Sequence, residues 1–191
     1  MDLPHFFLEG EFNLETLQTI KSRRSIRKYT GEKISKDQLD QILTAAQASP
    51  VGMGKYKNLH LTIINNPEIL DEIDQNAQNL FKINRQMLYG APTLILVSTQ
   101  IEGDSIDIYN VAFSNAACVI ENMSLAAVNL GIGTCHIWGA INALNQNSDL
   151  VSKLNLPEKF IPAAGILLGV TDEKYSERKI PANRIAMNVL D

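Results

Sequence analysis

The 191-residue chain is 45% hydrophobic, 20% charged and 6% aromatic, with a net charge of −4. That balance is globular; it excludes collagen, coiled coil and intrinsic disorder, and an acidic chain is a poor partner for nucleic acid. Cys118 and Cys135 have no metal-ligand spacing, and Ile161–Val170 is the longest apolar stretch. These features predict one domain over residues 1–191 with reduced thiols, cytoplasmic and not membrane-spanning.

In chain order, Asn13 is placed to cap a helix over about Leu14–Ser22. Ser35 and Gln38 have capping-box spacing ahead of a helix from Lys36 to Ala48, which Ser49-Pro50 ends. Val51–Tyr56 is a glycine-punctuated loop, and Leu59–Ile64 a strand. Asn66-Pro67 opens a third helix, Phe81–Leu88 reads as a fourth, and Thr93–Ser98 is an apolar strand. Tyr109–Leu130 carries the strongest helical period and is dense in small residues, so it is expected to be central and enclosed; Gly131 and Gly133 stop it. Thr134–Trp138 is short and extended, Asp149–Leu154 a short helix, and Ala163–Val170 a buried strand. From Thr171 onward there is no strong pattern.

Charge is concentrated in two places. Lys21, Arg23, Arg24, Arg27 and Lys28 put five cations into eight residues, and Lys174, Arg178, Lys179 and Arg184 form a second group. In an extended segment, period-two spacing places Arg23, Ser25 and Arg27 on one side. Guanidinium forks around a hydroxyl suit a phosphate monoester, because charge-assisted hydrogen bonds are the strong ones. The usual catalytic constellations are missing. His5, His60 and His136 lack metal-ligand spacing, and there is no nucleophile elbow, Walker loop or zinc-protease motif. Gly131-Ile132-Gly133 follows a helix rather than a strand, so it is not a dinucleotide fingerprint. A chain with a phosphate site and no acid, base or nucleophile suits a cofactor that carries the reaction.

Arg23-Arg24-Ser25-Ile26-Arg27-Lys28-Tyr29, then a capped helix ending in Ala48-Ser49-Pro50, resembles the nitroreductase family of flavoproteins. Met87-Leu88-Tyr89-Gly90-Ala91-Pro92 before a strand, and Asn110–Leu130 followed by Gly131-Ile132-Gly133-Thr134-Cys135, are similar to that family's order over residues 14–185. The resemblance implies an α+β fold: a central, mainly antiparallel sheet flanked by helices, in an intertwined homodimer whose two subunits line each FMN site. It implies hydride transfer from NADH or NADPH through FMN to a small-molecule acceptor such as a nitroaromatic or quinone, by ping-pong kinetics. Arg23, Arg24, Ser25 and Arg27 would hold the FMN phosphate, joined by Arg178 or Lys179. Ile137, Trp138 and Gly139 would lie near the flavin ring, and Gln86, with Asn84 beside it, would face the N1/O2 edge. Pro50, Val51, Gly52 and Met53 would reach the ring from the other subunit, mainly through backbone, with Met53 or Tyr56 as a wall. No residue is assigned as catalytic or as a metal ligand. The turn departs from the family's serine-rich form, which keeps open a non-catalytic flavin- or anion-binding protein.

Overall fold

The computed structural model describes residues 15–103 and 105–190. The helices are α1 (Thr16–Ser22), α2 (Lys36–Gln47), α3 (Pro67–Phe81), α4 (Ile106–Asn129), α5 (Gly139–Leu144) and α6 (Ser148–Ser152). The strands are β1 (Leu59–Ile64), β2 (Thr93–Gln100), β3 (Gly133–Ile137) and β4 (Phe160–Gly169). They form one antiparallel sheet in the order β1-β2-β4-β3. The fold is α+β, as the resemblance implied. Asn13 and Leu14, the expected start of the first helix, lie outside the described residues.

Strand β2 explains the layering. Leu94 and Leu96 face one side, where they join Ile73, Ala77, Ile141, Leu144 and Leu167 under α3, α5 and α6. Ile95 and Val97 face the other side, with Ile42, Ala116, Met123, Ile166 and Leu168 under α2 and α4. Successive side chains on a strand alternate faces, so a strand covered on both faces reads as an unbroken apolar run. Helix α2 starts with the expected reciprocal cap: Gln38 N–H donates to the Ser35 hydroxyl, and Ser35 N–H to the Gln38 side-chain oxygen at 2.9 Å.

Two expectations are corrected. Phe81–Leu88 is not a helix. Helix α3 ends at Phe81, Lys82 turns left-handed (φ 53°), and buried Asp74 accepts the Leu88 N–H at 2.5 Å, so the chain folds back as a turn. Strand β4 begins at Phe160 rather than Ala163 and runs through Pro162. The β3 pairing reaches only Gly165, so the missing N–H costs no ladder bond on that edge, and the β2 register shifts beside Pro162, between Val97 and Ser98. Helix α4 is long and apolar enough, by length and composition alone, to cross a membrane. In the structure it is packed on α2 and on β2, β3 and β4 as a core helix.

Candidate functional site

Residues 23–30 run along the exposed edge of the sheet. Ile26 N–H donates to the Thr134 carbonyl (2.8 Å) and Thr30 N–H to the Val170 carbonyl (3.0 Å). Ile26 is fully buried, which locks the alternation of the segment. Arg23, Ser25 and Arg27 all act on the buried Cys135 of β3. Burial pushes that thiol up, while a hydrogen bond from Ser25 and the charges of Arg27 and Arg23 pull it back. These three therefore all lie near Cys135. Arg27 is exposed, and its guanidinium sits 5.7 Å over the Tyr89 ring. A hydrogen bond with Tyr89 and the proximity of Cys135 hold it charged.

Arg24 faces the other way. It donates to the Lys174 carbonyl, lies 3.9 Å from Glu173 and stacks 5.8 Å over Tyr175. Tyr175 in turn donates to the Ile132 carbonyl at 2.8 Å. Arg24 thus ties the C-terminal segment to the strip and is not gathered with Arg23, Ser25 and Arg27. Of the two C-terminal candidates, Arg178 is the one drawn in. Its Nε donates to the Lys21 carbonyl (2.9 Å) and a terminal nitrogen to the Ile20 carbonyl (3.2 Å), satisfying the end of α1. Lys179 is exposed beside it. Burial, then the charges of Arg23, Arg184 and Arg24, push the Arg178 guanidinium down, with Glu121 alone opposing. Arg23 and Arg178 thus share the Glu121 carboxylate, with Arg184 and Arg24 close enough to act on Arg178, a concentration of positive charge that an added dianion relieves.

That carboxylate bridges two partners. One oxygen of Glu121 lies 3.5 Å from Arg23 Nε, the other 3.4 Å from His136 Nε2. Burial raises the Glu121 carboxyl above its ordinary range, and Arg23 and Arg178 moderate this. Burial and then Arg23 lower His136 to about 4. The 3.4 Å contact is therefore between a carboxylate and a neutral imidazole at neutral pH.

Glu121 and His136 are the polar end of a cavity of about 440 Å³ whose other walls include Phe113, Ile137, Trp138 and Gly165. Trp138 is 64% exposed and meets Phe113 edge to face at 6.2 Å. The backbone of Ile137–Gly139 is closely backed: a Cβ on Gly139 would lie 3.0 Å from Met87. Met87 and Tyr89 belong to the turn after α3, so the turn borders both Gly139 and Arg27. Asn84 and Gln86 are exposed on that turn.

Pro50–Met53 lies elsewhere within the protomer. Gly52 N–H donates to Asn115 of α4 (2.9 Å), a Cβ on Gly52 would meet Val111, and Asn122 donates to Ser49 (2.9 Å). At about 100° per residue, Val111, Asn115 and Asn122 form a stripe roughly 140° around α4 from Phe113, Ala117 and Glu121. Exposed Ser114 and Cys118 lie between the stripes. Met53 is 80% exposed in a left-handed conformation (φ 56°). Val51 is half-buried and Pro50 exposed; neither reaches the arginine strip.

Glu121, His136 and Tyr89 were not picked out from the sequence. Glu121 had a signal: it is the one charged residue of α4 after the first turn. Among the described residues, no group of three His, Cys, Asp or Glu side chains is placed to hold a metal.

Residues 20–170 match the profile of the Nitroreductase family. An FMN reductase (NADPH) of Bacillus subtilis is 26% identical over 166 residues, covering 81% of this chain and 65% of that protein. A nitroreductase with bound FMN from Bacteroides fragilis is 30% identical, with a TM-score of 0.75 over 93% of this chain and 100% of the other. One from Desulfitobacterium hafniense, also with bound FMN, shares the fold at a TM-score of 0.77 and 21% identity, over 91% and 98% of the two chains.

Proposed function

The chain belongs to the nitroreductase family, and from that premise we propose that it is an FMN-dependent oxidoreductase drawing on NADH or NADPH. The observation that carries the reading is the concentration of Arg23, Arg24, Arg178 and Arg184, of which Arg23 and Arg178 share Glu121, with Ser25 alongside Arg23 and Arg27. The residues fit a phosphate ester: Arg23, Ser25 and Arg27 would hold its oxygens, with Arg178 closing the field from the C-terminal segment. Arg24, committed to Glu173, Lys174 and Tyr175, contributes at a distance and fixes the strip.

FMN, when bound, supplies the chemistry: it accepts a hydride from a nicotinamide and passes two electrons to an acceptor. The protein binds, orients and excludes water. The backbone of Ile137–Gly139, backed at Gly139 by Met87, would lie against the ring, and Phe113 and Trp138 wall the apolar cavity beside it. Asn84 and Gln86, exposed on the turn that borders Gly139, would supply side-chain donors to the electron-rich N1/O2 edge. One cleft serves donor and acceptor in turn, which gives ping-pong kinetics with a nitroaromatic or quinone acceptor.

The intertwined homodimer is part of the same proposal. Pro50–Met53 and the arginine strip lie on different faces of α4, so a second copy is needed for both to line one cleft. Ile185, Met187, Val189 and Leu190 are between 73% and 91% exposed in the protomer, and such a tail calls for cover. A cytoplasmic location accords with two free thiols.

Stopped-flow mixing of the flavin-loaded protein with NADH or NADPH tests the reading. Rapid loss of the yellow flavin absorbance, and its return with a quinone, is expected; bound flavin that neither nicotinamide bleaches would overturn it. Steady turnover also separates the enzyme from a flavin-storing protein.

A further inference from the structure

Glu121 is out of place in a site built for an anion. It stands on an otherwise uncharged stretch of α4, half-buried, and lies 3.5 Å from the Nε of Arg23, the arginine at the head of the phosphate strip. Its second oxygen is held 3.4 Å from His136 of β3. The charged and titratable groups facing it are thus Arg23 from the strip, His136 from β3 and Arg178 from the C-terminal segment. The carboxylate takes up positive charge that a phosphate would otherwise use, and its own charge repels a phosphate brought alongside.

We infer that Glu121 is the site's internal stand-in anion: it holds Arg23 and the surrounding cations together in the empty protein, competes with the cofactor's phosphate, and so sets how tightly the protein holds FMN. This deepens the FMN reading and rests on it. Two consequences follow from the geometry. Neutralising Glu121 tightens binding of any flavin that carries a phosphate and leaves a flavin without one unaffected. The competition also fades as Glu121 takes up a proton, and burial sets that titration above the ordinary carboxylate range.

The experiment measures dissociation constants of the apo-protein for FMN and for riboflavin, by quenching of flavin fluorescence, in the parent and in Glu121→Gln. A close carboxylate–phosphate repulsion at the effective dielectric of a protein surface, reduced by salt, predicts FMN binding about tenfold tighter in the variant. Riboflavin affinity stays the same. The ratio of parent to variant FMN constants falls toward one as pH is lowered through the titration of Glu121. Glu121→Ala gives the same direction, which guards against an amide that makes its own contact. Unchanged or weaker FMN binding in both variants overturns the inference, as does an equal shift for riboflavin, which would place the effect on the ring or the fold. Failure of the parent to bind FMN at all is a different result, and removes the reading on which the inference stands.

Discussion

Replacing Arg27 by alanine probes the phosphate grip where the fold has least at stake. The side chain is exposed, and its partner is the Tyr89 ring at 5.7 Å. Losing an exposed cation–π contact costs about 0.5–1 kcal/mol, so the variant should fold with a melting temperature a few degrees lower at most. Binding should suffer more. A hydrogen bond to a charged group contributes about 1.5–3 kcal/mol, equivalent to roughly a 10- to 150-fold change in dissociation constant. Exposure places Arg27 at the lower end, so we expect FMN to bind about tenfold more weakly. Riboflavin should bind the variant and the parent alike. Tyr89→Phe, which keeps the ring but removes the hydroxyl, should weaken FMN by less than Arg27→Ala does. Fluorescence titration of apo-protein with both flavins measures all of this. An FMN constant unchanged within a factor of about two, in a variant that melts normally, would refute the assignment of Arg27 to the phosphate.

Other outcomes follow from the same structure. A Cβ on Gly169 would lie 2.6 Å from the Pro92 ring and 3.0 Å from the Tyr29 ring. Gly169→Ala should therefore lower stability by about 1–3 kcal/mol in urea unfolding. Gly165→Ala should cost less, because its nearest clash is the flexible end of Ile141 at 2.9 Å. His136 titrates near 4 in the folded protein against an ordinary 6.5, so the unfolded chain takes up the proton first. Its contribution is intact above pH 6.5 and is lost as pH falls toward 4. The melting temperature of the parent should thus drop across that window by more than that of His136→Gln; equal drops would contradict the assignment. Placing aspartates at Ile185 and Met187 should shift a sedimenting dimer toward monomer and release FMN, since the tail is exposed in the protomer. An FMN-loaded monomer would count against the shared site.

Local signals made most of the fold legible. The Ser35–Gln38 cap and Asn66-Pro67 each place a helix start because the chemistry lies within four residues. Helix α5 escaped because its six residues follow Trp138, which makes no side-chain cap. The Phe81–Leu88 turn has no local signal, because Asp74, fourteen residues before Leu88, takes the Leu88 N–H. The same division holds at the site. Alternation along residues 23–27 predicts Arg23, Ser25 and Arg27 on one side, and Ile26 between them is buried. It said nothing about Arg24 being taken by residues 173–175 of the chain's far end. The Glu121–His136–Arg23 cluster joins a helix, a strand and a loop far apart in sequence, and no spacing rule encodes that.

The central claim is that the strip beginning at Arg23 holds the phosphate of FMN. A crystal structure of the protein with FMN tests it most directly. The account predicts phosphate oxygens about 3 Å from the Ser25 hydroxyl and from the guanidinium groups of Arg23 and Arg27, with Pro50–Met53 of a second copy over the ring. A flavin whose phosphate lies away from these groups would contradict it.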